Sequence, residues 1–357
     1  MLSLYKLTTE NAAHYYTDDD YYTKSNGVKN SIWWGKAAKE LGLNGPIIAE
    51  DFKSLLNGKD PSSQESLVNR KSVSKDKKMR PGTDLTFSAP KSVTIMALYD
   101  ERILMAHKKA VDSALSEIQN NLSYTRKGKA REAFKIDNIA VAQFHHNTSR
   151  QISRNLAPDP QLHTHCVTFN LTKESSSNWK SLSHDIFYQN SKYIGMLYQN
   201  ELAKNLHELN YETQISKKGT FEIKGIDRKI IDHFSKRRIK ILENSDGSIK
   251  SRREANLKTR LSKTYTKEDE LPDIWKKELE NLNFDHRIIK KEKILKKEDS
   301  IQKKDNSRQL ESAINHLKER QSVFSQRDLE FSVLQYNIGG VNLEELRNDI
   351  SKNKELL

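Results

Sequence analysis

The chain has 357 residues, with 61 Lys+Arg against 48 Asp+Glu and a formal charge of +13. That length allows roughly two domains around a sizeable core, and the surplus of cations favours a polyanionic partner, nucleic acid first and membrane lipid second. No apolar run approaches the ~20 residues of a spanning helix, and the single cysteine, Cys166, excludes intramolecular disulfides.

The opening residues 1–7 lack the basic region and long apolar stretch of a signal peptide. A reducing cytoplasm and no membrane insertion are therefore expected.

In chain order, Leu2-Ser3-Leu4-Tyr5 reads as a strand, and Thr8 or Thr9 can cap a short helix after it. Residues 57–80, rich in Lys, Ser, Asn and Asp, read as a flexible surface loop. Thr83–Phe87 alternates polar and apolar, which predicts a half-buried strand. Ser88 is the expected N-cap of the next helix, with Pro90 in its first turn and the helical pattern running over 92–98. A second helix is expected over 101–122, then strands at Ile136–His146 and Leu162–Leu171, then one long amphipathic helix over 185–209. Tyr211–Ser216 and Thr220–Ile226 read as a hairpin closed by Lys217-Lys218-Gly219.

Strands interleaved with helices, without a regular βαβ repeat, predict an α+β fold around a sheet that is not doubly wound. From about residue 246 Lys- and Glu-rich helical stretches take over, including 288–304, which reads as a solvated helix or linker. The expected division is a mixed domain over 1–245, a charged helical or linker region over 246–306, and a small helical segment over 307–357. No Walker A pattern occurs, so no ATP motor is expected in these residues.

Three histidines carry the most chemical weight. Residues i and i+2 of a strand share a face, so His163 and His165 project together, while Val167, Phe169 and Leu171 continue that face into the core. His146 closes the preceding strand and can meet the pair from a neighbouring one. Three neutral imidazoles hold a divalent cation without cancelling its charge, and leave positions open for a substrate oxygen. His145 points the opposite way from His146, and geometry alone does not choose between them. A metallohydrolase also uses His-x-His, but Cys166, Val167 and Thr168 follow where an acid or further His would be needed.

The N-terminal stretch His14–Tyr22 holds four of the thirteen tyrosines, Tyr15, Tyr16, Tyr21 and Tyr22. Clustered tyrosines are usually packing residues. A phenol of pKa ~10 becomes a nucleophile when a nearby cation stabilises its phenolate. Attack on a phosphodiester then yields a phosphotyrosine that conserves the bond for rejoining. Neighbouring helical residues point ~100° apart, so one of each pair faces a given site.

Four ordered blocks, Tyr15-Tyr16 with Tyr21-Tyr22, then 84–93 (Asp-Leu-Thr-Phe-Ser-Ala-Pro-Lys-Ser-Val), then His146-Asn147-Thr148-Ser149-Arg150, then 160–165 (Pro-Gln-Leu-His-Thr-His), resemble the MobF-type conjugative relaxases of the HUH endonuclease superfamily, the TraI and TrwC family. The resemblance covers about residues 1–245. It implies a central antiparallel sheet of rolling-circle type, flanked by helices, with a histidine metal site. It also selects His146 over His145, assigns the first cut to Tyr15, and makes Tyr21 the candidate for a second transfer. The gap between the pairs is short for the family, which keeps Tyr22 open beside Tyr21. Asn147 stands where an acid would also be natural, which changes the charge near the metal.

Asp84 shares its strand's polar face with Thr86 and Ser88, and is expected to orient a ligand imidazole or to accept a proton from tyrosine. Lys91 lies in the first turn of a helix, whose free N–H groups favour an anion, and is expected to contact phosphate. Arg80 and Arg150 are weaker candidates of the same kind. The implied activity is a site- and strand-specific nick at a transfer origin, leaving a 5′-phosphotyrosine and a free 3′-hydroxyl.

The implied substrate is single-stranded DNA beside a hairpin. The ion is Mg or Mn in the cell, with Zn, Co or Ni also suited to three imidazoles. Relaxosome and type IV secretion components are the implied partners, and passage with the DNA into a recipient cell is implied too. A replication initiator or transposase of the same superfamily is the near alternative, and a non-catalytic single-strand-binding module the distant one. Residues 307–355 resemble the start of a following helicase region, which makes the chain look like the front of something longer.

Overall fold

Strand β1 (Leu2–Lys6) is followed by β2 (Ser31–Trp34), α1 (Lys36–Glu40) and α2 (Ala49–Leu56). Strand β3 (Gly82–Ser88) leads into α3 (Lys91–Met96) and α4 (Arg102–Asn121). A hairpin of β4 (Tyr124–Lys127) and β5 (Glu132–Lys135) precedes the two long strands, β6 (Val141–Thr148) and β7 (Pro160–Phe169). After the two-residue strands β8 (Thr172–Lys173) and β9 (Trp179–Lys180) come α5 (Asp185–Gln189), α6 (Ser191–Glu208), and a hairpin of β10 (Thr213–Ile215) and β11 (Phe221–Ile223). The remainder is helical: α7 (Arg228–His233), α8 (Lys236–Glu243), α9 (Ile249–Lys258), α10 (Leu271–Asn281), α11 (Asn306–Lys318), α12 (Gln326–Tyr336) and α13 (Leu343–Lys352). This computed structural model describes residues 1–8, 30–68, 80–128, 132–153, 156–173, 178–216, 219–259, 268–289, 306–353 and 356. Among these, no helix is long and apolar enough to cross a membrane.

Five strands form one antiparallel sheet in the order β1-β3-β7-β6-β2. Both faces are covered. Leu85, Phe87, Val141 and Cys166 pack into the core built with α4 and α6, whereas Ala142, Phe144, Val167 and Phe169 meet Trp33, Phe52 and Leu55 on the other side. Phe52 of α2 sets its ring edge-on to both Phe144 and Phe169 at 5.4 Å, which closes this second layer. A Cβ at Gly82 would stand 2.5 Å from the Thr168 carbonyl, so only glycine lets β3 open this close to β7.

Several boundaries differ from expectation. The strand at 83–87 is buried along both faces, not one; its polar Thr83, Asp84 and Thr86 are interior, the last two held against His165 of β7. Ser88 is the last strand residue and not a cap. The N-cap of α3 is Pro90, and the Ser92 N–H is instead taken by the Glu222 carboxylate of β11 at 3.0 Å. The long helix of 185–209 is two helices, interrupted at Asn190, whose side chain donates to the Ile186 carbonyl at 2.8 Å. The helix expected from Thr8 or Thr9 falls outside the described residues, as do 69–79 of the surface loop and 290–304 of the charged stretch.

The C-terminal helices belong to the same core as the sheet's helical layer. Leu310, Ala313, Ile314, Leu329, Val333 and Leu346 join the cluster that contains α4 and α6. A polar lock fixes them there. The Arg347 guanidinium donates to Glu117 of α4 at 2.6 and 3.1 Å and to Glu330 of α12 at 2.9 Å, while the Tyr193 hydroxyl of α6 donates to Glu330. Glu330 is 1% exposed and Glu117 9%, so removing the cation strands two buried carboxylates. Arg347→Leu is expected to lower unfolding free energy by about 3 kcal/mol, the low end for breaking a buried pair, because the arginine is itself 30% exposed. Urea denaturation at pH 7 measures this.

Candidate active site and metal centre

Antiparallel register gathers the site on one face of β3, β7 and β6. Directly paired residues place their side chains on the same side. The pairs His146↔His163, Phe144↔His165, Thr86↔His165 and Asp84↔Val167 therefore put Asp84, Thr86, His146, His163 and His165 together. The apolar members of that face, Val167 and Phe169, run inward, so the imidazoles stand at the sheet's open end. A register shift between His146 and Thr148 bulges β6 beside His146. Bulges of this kind bend a strand and re-aim its side chains next to a site.

The three rings meet pairwise, with centroids 5.3 Å apart for His146–His163, 5.5 Å for His146–His165 and 5.1 Å for His163–His165. A tetrahedral ion at metal–nitrogen distances of ~2.0–2.1 Å would hold imidazole centres roughly 5 Å apart. Among the described residues no three ligating atoms are already gathered in a ready-made cage, so the fit is one of ring spacing and donor chemistry. The outward hydrogen bonds support it. His163 Nδ1 lies 2.8 Å from the Gln161 carbonyl, and His165 Nδ1 lies 2.7 Å from Asp84 Oδ2. Each bond makes Nδ1 the donor and turns Nε2 toward the cluster, the arrangement of a metal-binding histidine oriented by an oxygen partner.

Asp84 is 2% exposed, and Thr86 lies beside it, donating to Asp84 Oδ1 at 3.3 Å and lying 3.1 Å from His165 Nδ1. Asp84 thus contacts a candidate ligand through its Oδ2. Asp84→Asn keeps an oxygen that can accept from His165 but loses the charge. A loss of about 10–100-fold in metal affinity is expected, against near-complete loss for a histidine replacement. Isothermal titration with Mn²⁺ or Ni²⁺ checks it.

His145 faces the opposite side. Its Nδ1 lies 2.9 Å from Thr164 Oγ1, and burial pushes its pKa down to about 4, so it is neutral at pH 7.

The expected DNA contacts are placed less uniformly. The Lys91 amine is turned into the protein and donates to the Pro160 carbonyl at 2.5 Å, and burial lowers its pKa to about 8. It braces the start of β7 instead of standing open to a phosphate, and its charged neighbours are Asp159, Glu222 and Lys236. Arg80 pairs with Asp185 at 3.3 Å and stacks over Tyr188. It precedes β3 at Gly82, whereas His163 pairs with Ser88 at the strand's other end, about 20 Å away at ~3.3 Å per residue. Arg150 is half-buried just beyond β6, at the histidine end. Tyr15, Tyr16, Tyr21 and Tyr22 lie outside the described residues; the chain resumes at Asn30, whose carbonyl accepts from the His145 N–H at 2.9 Å.

Two features were not anticipated from sequence. Thr86 is one, although its i+2 spacing from Asp84 was a usable signal. The other is the pair α8 and α9. Lys236 binds Asp159 through Nζ at 3.0 Å and its backbone N–H at 2.9 Å, and Lys240 donates to the Ile152 carbonyl at 2.8 Å. Arg237 binds Asn256 Oδ1 at 2.7 Å, and Asn256 reaches the hydroxyl of Tyr5 at 3.4 Å. Tyr5 pairs with Asp84 and so shares the site's face, 48% exposed. A basic helix pair therefore bridges the β6–β7 loop to the β1 edge beside the site.

The TrwC relaxase family model matches residues 9–282. The multifunctional conjugation protein TraI of Escherichia coli is 37% identical over 294 residues, 77% of this chain and 16% of that protein. TraI of strain K12 is 36% identical over the same shares. The chain thus spans about one sixth of the length of these relatives. Among solved structures, conjugative relaxase TrwC in complex with oriT DNA, in its metal-free form, is similar with a TM-score of 0.70 at 33% identity, covering 80% of this chain and 99% of that one. A copper-bound TrwC complex with oriT DNA gives 0.69 at 36% identity over the same shares.

Proposed function

This chain belongs to the TrwC relaxase family, and from that premise we propose that it nicks one strand of a transfer origin by tyrosine transesterification and rejoins it in conjugative transfer. The observation that carries the reading is the cluster of His146, His163 and His165, with centroids 5.1–5.5 Å apart, at the open end of a sheet bridged by basic helices. The solved TrwC complexes, with oriT DNA, with a recognition hairpin and cleavage site, and in metal-bound form, supply the substrate and cofactor class.

His146, His163 and His165 would hold one divalent cation, which when bound supplies positive charge to a scissile phosphate oxygen. Asp84 and Gln161 fix the tautomers of His165 and His163 so that Nε2 of each is the ligand atom. All three imidazoles must stay neutral to ligate, so acid should weaken metal binding.

Tyr15 is the nucleophile: its phenolate oxygen forms a bond to phosphorus as the bond to the 3′ oxygen breaks. The 5′ phosphate stays on the tyrosine and the 3′-hydroxyl leaves free. Tyr21, or Tyr22 in its place, is the phenol for a second transfer, with Tyr16 its pair's non-attacking member. Arg150 and the cations of α8 would neutralise charge on a strand reaching the histidines. Mg or Mn is the ion in the cell, the cytoplasm the site of action, and relaxosome and secretion components the partners.

The test uses one oligonucleotide carrying a nick site beside a hairpin, labelled at either end and run on a denaturing gel. The 3′-label should move to a protein-linked band and the 5′-label to a short free fragment. Chelation should remove both products, and Mn²⁺ should restore them. Tight binding without either product would favour the single-strand-binding module instead.

A further inference from the structure

Behind the histidine face lies a buried chain of hydrogen bonds that metal ligation does not use. Thr164 stands between His163 and His165 in β7, with its side chain on the opposite face and 0% exposed. Its hydroxyl lies 2.8 Å from His107 Nε2 of α4 and 2.9 Å from His145 Nδ1 of β6. His107 in turn lies 2.8 Å from the Tyr198 hydroxyl of α6 through Nδ1, and is 1% exposed. All three bonds are satisfied at once with Tyr198 O–H donating to His107 Nδ1, His107 Nε2–H to Thr164 Oγ1 and Thr164 O–H to His145 Nδ1, and equally in the reverse order with both imidazoles in the other tautomer.

One hydroxyl therefore ties together three elements, β7, β6 and α4, with α6 joined through His107, and β6 and β7 carry every imidazole of the candidate site. Thr164 is flanked in sequence by His163 and His165, and His145 is adjacent to His146. Cα pairing places His145 directly across from Thr164, so the bond between them spans the β6–β7 ladder at the rung next to His146↔His163. Strand side chains alternate, so a peptide plane that tilts at Thr164 re-aims both neighbouring rings. The bulge after His146 interrupts the ladder on this side, and leaves a side-chain anchor to hold what backbone pairing holds elsewhere.

We propose that Thr164 is a positioning residue for the metal centre, its hydroxyl clamped by His107 and His145 so as to set the spacing of His146, His163 and His165 from the sheet's far side. The inference rests on reading those three histidines as the metal site. Valine is near-isosteric with threonine and lacks the hydroxyl, while serine keeps the hydroxyl and loses a methyl.

The test is Co²⁺ titration of the metal-free protein, followed by visible absorption, at a temperature where circular dichroism shows each variant folded. Thr164→Val is expected to bind Co²⁺ about 10–100-fold more weakly, the range for lost outer partners of a ligand, with a changed band shape. Thr164→Ser should recover most of that loss. Leu202→Ala, a cavity in the same core within α6, should lower the melting temperature yet leave Co²⁺ affinity unchanged. Should Thr164→Val fail to fold, His107→Leu, which removes one of the two bonds, should give a smaller loss of the same kind. Wild-type affinity in folded Thr164→Val, or equal loss in Leu202→Ala or Thr164→Ser, overturns the positioning role alone. A wild-type protein that binds no Co²⁺ overturns the metal reading beneath it, and the positioning role with it.

Discussion

Replacing any one of His146, His163 and His165 by alanine should reduce oligonucleotide cleavage by about 10²–10³-fold, the scale on which removing one charge-stabilising element acts. The three are expected to behave as a unit, so a double replacement should cost little more than a single one. The reason is geometric: each ring lies 5.1–5.5 Å from both others, and no described residue other than these offers a third imidazole on that face. His145→Ala is the internal control. Its ring faces Thr164 and not the ion, so it should cost no more than the smaller loss expected for one clamp bond, well short of a ligand replacement. Metal affinity by titration must fall in parallel with cleavage. Cleavage that falls while affinity holds would mean the histidines serve the strand and not an ion.

Tyr15→Phe should take the covalent adduct to background while leaving oligonucleotide affinity within a few-fold of wild type. The ring and its packing survive and only the nucleophilic oxygen is lost. Fluorescence anisotropy for binding, run beside a denaturing gel for adduct, separates the two effects. Tyr21→Phe and Tyr22→Phe divide differently. The first cut should persist in both, and transfer to a second oligonucleotide should fail where the second nucleophile is lost. Residues six and seven after Tyr15 lie about two helical turns away if the helix is continuous, which would favour Tyr22; the family order favours Tyr21. Loss of the first cut together with melting temperature in both variants would instead make the second pair packing residues.

Much of the sheet was legible because its signals are local. The period-2 pattern of 162–171 placed His163 and His165 on one face, and pairing to β3 and β6 keeps them there. The choice between His145 and His146 was not local. A one-residue slip in register exchanges the faces of a strand, and what fixes it is the alignment Phe144↔His165 between two separate segments.

Asp84 was read as a polar-face residue; it is interior and held by His165, a partner 81 residues away that sequence alternation does not reveal. Lys91 illustrates the same limit. Its position in a first helical turn suits an anion, but the carbonyl that holds it belongs to Pro160, and its charged neighbours Asp159, Glu222 and Lys236 come from distant segments. The composition shift near 246 described the surface of the later helices well. It hid their apolar stripes, and the lock of Arg347 on Glu117 spans 230 residues.

The most direct test is peptide mapping of the nuclease-trimmed adduct by mass spectrometry, after incubation with Mn²⁺ and a single-stranded nick-site oligonucleotide. The account predicts a nucleotide joined through its 5′ phosphate to the peptide containing Tyr15, absent from chelated samples and from His163→Ala. A 3′-linked nucleotide, an adduct on another residue in the unmutated protein, or metal-independent cleavage with no adduct would contradict it.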